Sequence, residues 1–153
     1  MTSANILILG IGNLLLADEG LGIHVVQELQ KIPQRSNVEI LDGGTGGFEL
    51  ISHFEGKKKV IIIDSFKADL PAGTIVQSAV ERLNFEKENP ISAHQNGLKE
   101  LLYHSRKIVP CPQILFYGIV AKEYLDFSTN LTPEVQASIP ALISMIMKEI
   151  GES

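Results

Sequence analysis

Hydrophobic residues in this chain occur in two alternating patterns, short continuous runs and runs with helical spacing. The continuous runs predict β-strands, because a strand buried on both faces of a parallel sheet is apolar at consecutive positions. We place strands at residues 5–9, 38–41, 60–63, 74–78 and 114–119. Gly, Asp or Pro residues lie close to most of these runs and mark the expected turns.

The helical spacing predicts helices at residues 19–30 and 94–106, a short helix over residues 48–54, and a last helix that starts at Thr132-Pro133-Glu134. Thr is a favoured N-cap, Pro suits the first helical position, and an acid suits the first turn. Pro140 should bend this last helix. The alternation of strands and helices predicts a single α/β domain: an open, twisted, mainly parallel sheet of about five strands with helices on both faces.

Composition and charge narrow the class of protein. A chain of 153 residues can bury an adequate core without a disulfide or a structural metal. The net charge of −5 argues against nucleic-acid binding, which needs clustered basic residues. We interpret the one run of like charge, residues 57–59, as a solvated strand entry. A single cysteine, Cys111, and an N-terminus unlike a signal peptide predict a cytoplasmic protein, and no apolar stretch reaches the roughly 20 residues of a membrane span.

Four ionisable residues follow predicted strands or approach a predicted helix. Glu19 lies in the loop after the first strand, Asp42 ends the second, Asp64 ends the third, and His94 precedes a later helix. Because the loops at the carboxyl ends of parallel strands form the functional crevice, we expect these side chains to meet at one edge of the sheet.

Glu19, Asp64 and His94 would form a set of two carboxylates and one imidazole. Two neighbouring carboxylates repel each other, and a divalent cation offsets that repulsion. Three protein ligands with one open position are typical of catalytic metal sites, although this ligand set does not select the metal. Each residue also has an ordinary interpretation: an acid at a helix start, a turn cap, or a surface histidine.

The glycines near the first strand raise a second possibility, a nucleotide site. Gly10 and Gly12 follow a strand, as in the dinucleotide fingerprint, but Leu15 stands where its third glycine would be. The chain contains neither the H-E-x-x-H motif of zinc proteases nor the G-x-S-x-G motif of serine hydrolases.

Several motifs, taken in order, resemble one protein family. Residues 10–22 (GIGNLLLADEGLG) look like the N-terminal signature of the NiFe-hydrogenase maturation endopeptidases. Residues 41–45, 60–64 and 91–95 resemble the second, third and fourth motifs of that family. Residues 131–135 resemble the start of its last helix, so the similarity covers nearly the whole chain and implies one maturation-peptidase-like domain over residues 1–153.

The resemblance implies a function and a set of site residues. The family's metal-binding residues match Glu19, Asp64 and His94, and Asp42 becomes a candidate for substrate contact or general base. The implied substrate is a hydrogenase large-subunit precursor that already carries nickel near its C-terminus. The implied reaction removes the C-terminal tail after the last nickel-binding motif, so that the new C-terminus can fold inward.

The hypothesis is therefore an endopeptidase whose catalytic residues are Glu19, Asp64 and Asp42 and whose site docks nickel carried by the substrate. We expect a monomer that acts on the precursor and binds neither nucleic acid nor membrane. A nickel-binding maturation chaperone without peptidase activity is the main alternative. A small nucleotide-binding domain and a related peptidase with another protein substrate also remain open.

Overall fold

The computed structural model describes residues 4–82, 93–123 and 126–151, and the side chains of residues 48 and 93–98 lie outside that description. The strands are β1 (Ile6–Ile11), β2 (Val38–Gly44), β3 (Lys59–Phe66), β4 (Ile75–Ala79) and β5 (Gln113–Val120). The α-helices are α1 (Leu21–Gln30), α2 (Ala93–Ser105) and α3 (Pro133–Gly151). Shorter 3-10 helices span Ala17–Gly20, Phe48–Phe54 and Val80–Arg82.

The described strands form one sheet in the order β2-β1-β3-β5-β4. The pairs that involve β1, β2, β3 and β5 are parallel, and only β4 runs antiparallel to its neighbour. The predicted α/β class and the mainly parallel five-stranded sheet are thus confirmed. Strand order reverses between β1 and β3, because the chain passes from β1 to β2 on one side and returns to β3 on the other.

Helices cover both faces of the sheet, as predicted, and each face has its own core. On the first face α1 and α3 pack on the even-numbered residues of β1, and on the second face α2 and the Phe48–Phe54 helix pack on the odd-numbered ones. The first core includes Ile8, Val25, Ile61, Leu142 and Ile146, whereas the second includes Leu9, Phe54, Ile62, Leu101 and Phe116. The continuous apolar runs in the sequence therefore reflect burial on both faces.

Three predicted boundaries near the candidate residues were wrong. Asp42 and Asp64 do not follow their strands but lie within them, because the neighbouring strands still offer pairing positions there: Asp42 pairs with Gly10, and Asp64 with Gly118. The helix predicted to begin at Glu19 begins two residues later, and Glu19 occupies the 3-10 turn before it.

The interpretation of residues 57–59 as a solvated strand entry holds for Lys58, which is exposed, but was wrong for the lysines on either side of it. The side chains of Lys57 and Lys59 are each only 12% exposed and form ion pairs with Glu39 and Glu149, with N–O distances of 3.3 Å and 2.6 Å. The first pair joins the residues before β3 to β2, and the second joins the start of β3 to α3. No helix in the described ranges combines the length and the apolar character that crossing a bilayer requires.

Candidate active site

The switch in strand order defines where a functional crevice is expected in this fold. In open parallel sheets such crevices lie at the carboxyl ends of the two strands between which the connections diverge. Here those strands are β1 and β3, which pair directly from Ile6–Lys59 to Gly10–Ile63. Glu19 belongs to the turn that follows β1, and Asp64 is the residue after Ile63 in β3. The fold therefore places both residues at the same edge of the sheet, where such a crevice is expected.

Close backbone packing holds the Glu19 turn against the end of β1. Gly12 has φ of +147°, and a Cβ there would lie 2.1 Å from the carbonyl oxygen of Glu19. That same carbonyl accepts the N–H of Asn13 at 2.9 Å. Gly22, at the start of α1, leaves no room for a Cβ either, because the carbonyl oxygens of Ile11 and Ile63 would lie 2.2 Å and 2.4 Å from it. These glycines have a packing role that requires no nucleotide.

Asp64 is fully buried, and its Oδ1 accepts the N–H of Ser65 at 2.8 Å. Its side chain lies on the α2 face, since Ile62 and Phe66, which share its parity, pack against that core. Gly118 faces it on β5, and a Cβ there would lie 2.8 Å from the carbonyl oxygen of Asp64 and 2.7 Å from the ring of Phe116. Gly118 carries no local signal in the sequence, because only strand register places it opposite Asp64.

Asp42 lies at the same edge of the sheet but on the other face. It shares parity with Val38 and Ile40, which pack toward α1 and α3, and β1 separates it from β3. Two strand spacings put its backbone about 10 Å from that of β3. Asp42 is exposed, its Oδ1 accepts the N–H of Gly44 at 2.9 Å, and it lines a cleft of 240 Å³ that also borders Asn13.

The side chain of His94 lies outside the described part of the chain. Its backbone forms part of the first turn of α2, the helix that covers the face on which Asp64 lies. The last turn of α2 lies near the start of β3, where His104 and Gly56 line one pocket. If α2 runs along the strands, its first turn, about 18 Å away along the helix axis, lies toward the carboxyl edge. Among the side chains that the structure describes, no three of His, Cys, Asp and Glu form a metal-binding group.

Asp18, directly before Glu19, has a different task that the sequence analysis did not identify. It is fully buried, and its two oxygens accept the backbone N–H groups of Lys122, Glu123 and Thr132 at 2.8, 2.9 and 2.8 Å. The Thr132 hydroxyl donates to it as well. One carboxylate thus fixes the turn that carries Glu19 to the segment that precedes α3.

Comparison with known proteins supports a specific family. A family model described as hydrogenase maturation protease (HycI) matches residues 23–149. Hydrogenase 2 maturation protease from Escherichia coli strain K12 is 36% identical over 151 residues, which is 97% of this chain and 92% of that protein. HupD, a hydrogenase expression/formation protein from Thiocapsa roseopersicina, is 33% identical over 150 residues, 96% of this chain and 68% of HupD.

Solved structures give the same result. The hydrogenase maturating endopeptidase HybD from E. coli superposes with a TM-score of 0.84 and 31% identity over 97% of this chain and 93% of HybD. The NiFe-hydrogenase maturation protease HybD from Thermococcus kodakarensis superposes with a TM-score of 0.75 and 30% identity, covering 94% and 97% of the two chains.

Proposed function

This chain belongs to the hydrogenase maturation protease family, and we propose that it removes the C-terminal tail of a nickel-loaded hydrogenase large-subunit precursor. Membership in this family makes it a peptidase and favours that activity over a nickel-binding chaperone. The nickel is part of the substrate in this proposal. The cytoplasmic location and the monomeric state stay predictions.

The observation that carries the proposal is the placement of two buried carboxylates at the β1–β3 switch point. Glu19 is 4% exposed and Asp64 is fully buried. Carboxylates in such surroundings favour a cation as a partner, because a cation offsets both their mutual repulsion and their desolvation. We propose that Glu19, Asp64 and His94 dock the nickel that the precursor holds with its own ligands.

Docking through the metal would make cleavage depend on whether the precursor already carries nickel. A precursor without nickel would lack the group that Glu19 and Asp64 recognise, so its tail would not be held beside them. Holding the scissile peptide in one position supplies much of the lowering of the barrier, since it converts an encounter into a local reaction. The metal can polarise a carbonyl or activate a water when bound.

Asp42 fits substrate contact better than proton transfer beside Asp64. It lies on the opposite face of the sheet, about two strand spacings from β3. Its carboxylate is exposed in the 240 Å³ cleft, where it can meet polar groups of an incoming chain. We therefore propose that Asp42 guides the precursor tail and that Glu19 and Asp64 act at the scissile bond.

The test compares nickel-loaded and nickel-free precursor, with mass spectrometry of the large subunit before and after incubation. The proposal expects loss of a C-terminal tail in the loaded sample only. Glu19→Gln, Asp64→Asn and His94→Ala should abolish this loss, whereas Asp42→Asn should slow it.

Exposed acids outside the crevice provide matched controls. Glu28→Gln, in the last turn of α1, and Asp69→Asn, before β4, make the same chemical change and should cleave normally. Thermal unfolding of each variant separates loss of the site from loss of the fold. Normal processing by a folded Asp64→Asn protein would contradict the docking of nickel by this residue. Nickel binding without shortening of the precursor would favour a chaperone.

A further inference from the structure

Two large apolar side chains are exposed beside the candidate active site. Leu15 is 59% exposed and Phe127 is 88% exposed. Isolated exposed hydrophobic residues are common, but the backbone segments that carry these two lie side by side, because the N–H of Ser128 donates to the carbonyl of Leu15 at 2.9 Å. They are far apart in sequence and are brought together only by the fold.

Hydrogen bonds and a β-bridge fix the backbone that carries these side chains. Leu16 and Ser128 form a parallel bridge, and the N–H of Ala17 donates to the Ser128 carbonyl at 2.9 Å. Ala17 has φ of +48°, a left-handed conformation that a non-glycine residue keeps only where its surroundings enforce it. The Asp18 carboxylate then ties this turn to the segment before α3.

The same turn also carries Glu19. The N–H of Glu19 donates to the carbonyl of Leu16 at 3.0 Å, and its own carbonyl accepts from Asn13. A protein that covers Leu15 therefore comes within a few residues of the crevice. This continuity separates the pair from other exposed apolar residues such as Tyr103 and Val109, which lie at the far end of α2 and beyond it.

We propose that Leu15 and Phe127 form an anchor for the folded body of the hydrogenase large-subunit precursor, through an apolar patch next to its C-terminal tail. This inference rests on the proposed function and adds a contact outside the nickel and the scissile bond. An aromatic side chain that can bury some 150–250 Å², on a hydrogen-bonded backbone and followed in the chain by the polar residues Ser128 and Asn130, suits the apolar centre and polar rim of an interface.

The experiment measures the initial rate of tail removal against the concentration of nickel-loaded precursor, and in parallel the Kd of the precursor. Phe127→Ala should raise KM and Kd about tenfold, while kcat stays within about twofold, because the anchor binds ground state and transition state equally. Leu15→Ala should have a smaller effect in the same direction, and the double variant the largest. Tyr103→Ala, an equally drastic truncation of a 61% exposed aromatic residue, should change neither constant.

Each outcome of these measurements supports or overturns the anchor, the proposed function or both. A double variant with the KM and Kd of the wild type overturns the anchor, as does a Phe127→Ala variant that only dissociates a dimer of this chain in sedimentation. If the wild type binds precursor without shortening it, the proposed function fails, but the Kd comparison still tests the anchor. If the wild type neither binds nor cleaves the precursor, both proposals fail.

Discussion

Replacing Asp18 with asparagine should destabilise the protein although it changes a single atom of the side chain. The two oxygens of Asp18 together receive three backbone N–H groups and the hydroxyl of Thr132, all within 3.1 Å. An asparagine keeps one acceptor oxygen and replaces the other with a donor. At least one backbone N–H must then face another N–H in a fully buried place.

The two possible orientations of the amide differ in cost. With its nitrogen in place of Oδ2, the amide would leave the N–H groups of Lys122 and Glu123 without an acceptor. With its nitrogen in place of Oδ1, it would orphan only that of Thr132, so the second orientation should prevail. One orphaned buried donor costs about 1–3 kcal/mol, and the three bonds that remain on the other oxygen lose the benefit of a carboxylate acceptor, so we expect a total of about 2–4 kcal/mol. Asp18→Ala, which orphans all three donors, should cost more.

Urea unfolding followed by circular dichroism measures this loss directly. The midpoint should fall while the slope with denaturant stays constant, and Tm should fall by about 10 °C for a chain of this size. Asp69→Asn makes the same change at an exposed site and should stay within about 0.5 kcal/mol of the wild type. An Asp18→Asn protein as stable as the Asp69→Asn control would refute the role of Asp18 in fixing this turn.

Three further changes test the packing and the charge pairing. Gly22→Ala should cost more than about 3 kcal/mol in urea unfolding, because its Cβ would lie 2.2 Å and 2.4 Å from two strand carbonyl oxygens, whereas Gly151→Ala, where a Cβ meets open space, should be nearly neutral. Gly118→Ala should lower the kcat of tail removal while the variant still folds, since its Cβ would lie 2.8 Å from the backbone oxygen of Asp64. A normal kcat in a folded variant would contradict this. The hydrogen bond from Lys59 lowers the pKa of Glu149 below its ordinary value of 4.5, so this pair should stabilise the fold above about pH 4.5 and lose its effect as pH falls through the lowered value. Lys59→Met should therefore flatten the fall in Tm between about pH 6 and about pH 3, and an unchanged profile would rule out this linkage.

The sequence predicted the elements of the fold well because burial on both faces leaves continuous apolar runs. It failed at the strand ends, where polar residues continue the ladder: Asp42 and Asp64 looked like loop residues by composition, yet Gly10 and Gly118 pair with them. Register with a partner strand is not encoded in local pattern. The carboxyl-edge placement of Glu19 and Asp64 was predictable, since it follows from strand order. The separation of Asp42 onto the opposite face was not foreseen, although side-chain alternation along β2 contained that information.

The sequence alone does not show that the neighbouring acids Asp18 and Glu19 have different roles. Both are acids in one 3-10 turn, both are buried, and either could have been chosen as the candidate ligand. The difference lies in partners more than 100 residues away, because Lys122, Glu123 and Thr132 already supply the donors that saturate Asp18. A carboxylate whose oxygens are fully engaged with backbone N–H groups has little capacity left for a metal. The fold thus gives Asp18 the structural task of fixing this turn, and the role of Glu19 as a metal ligand stays a prediction.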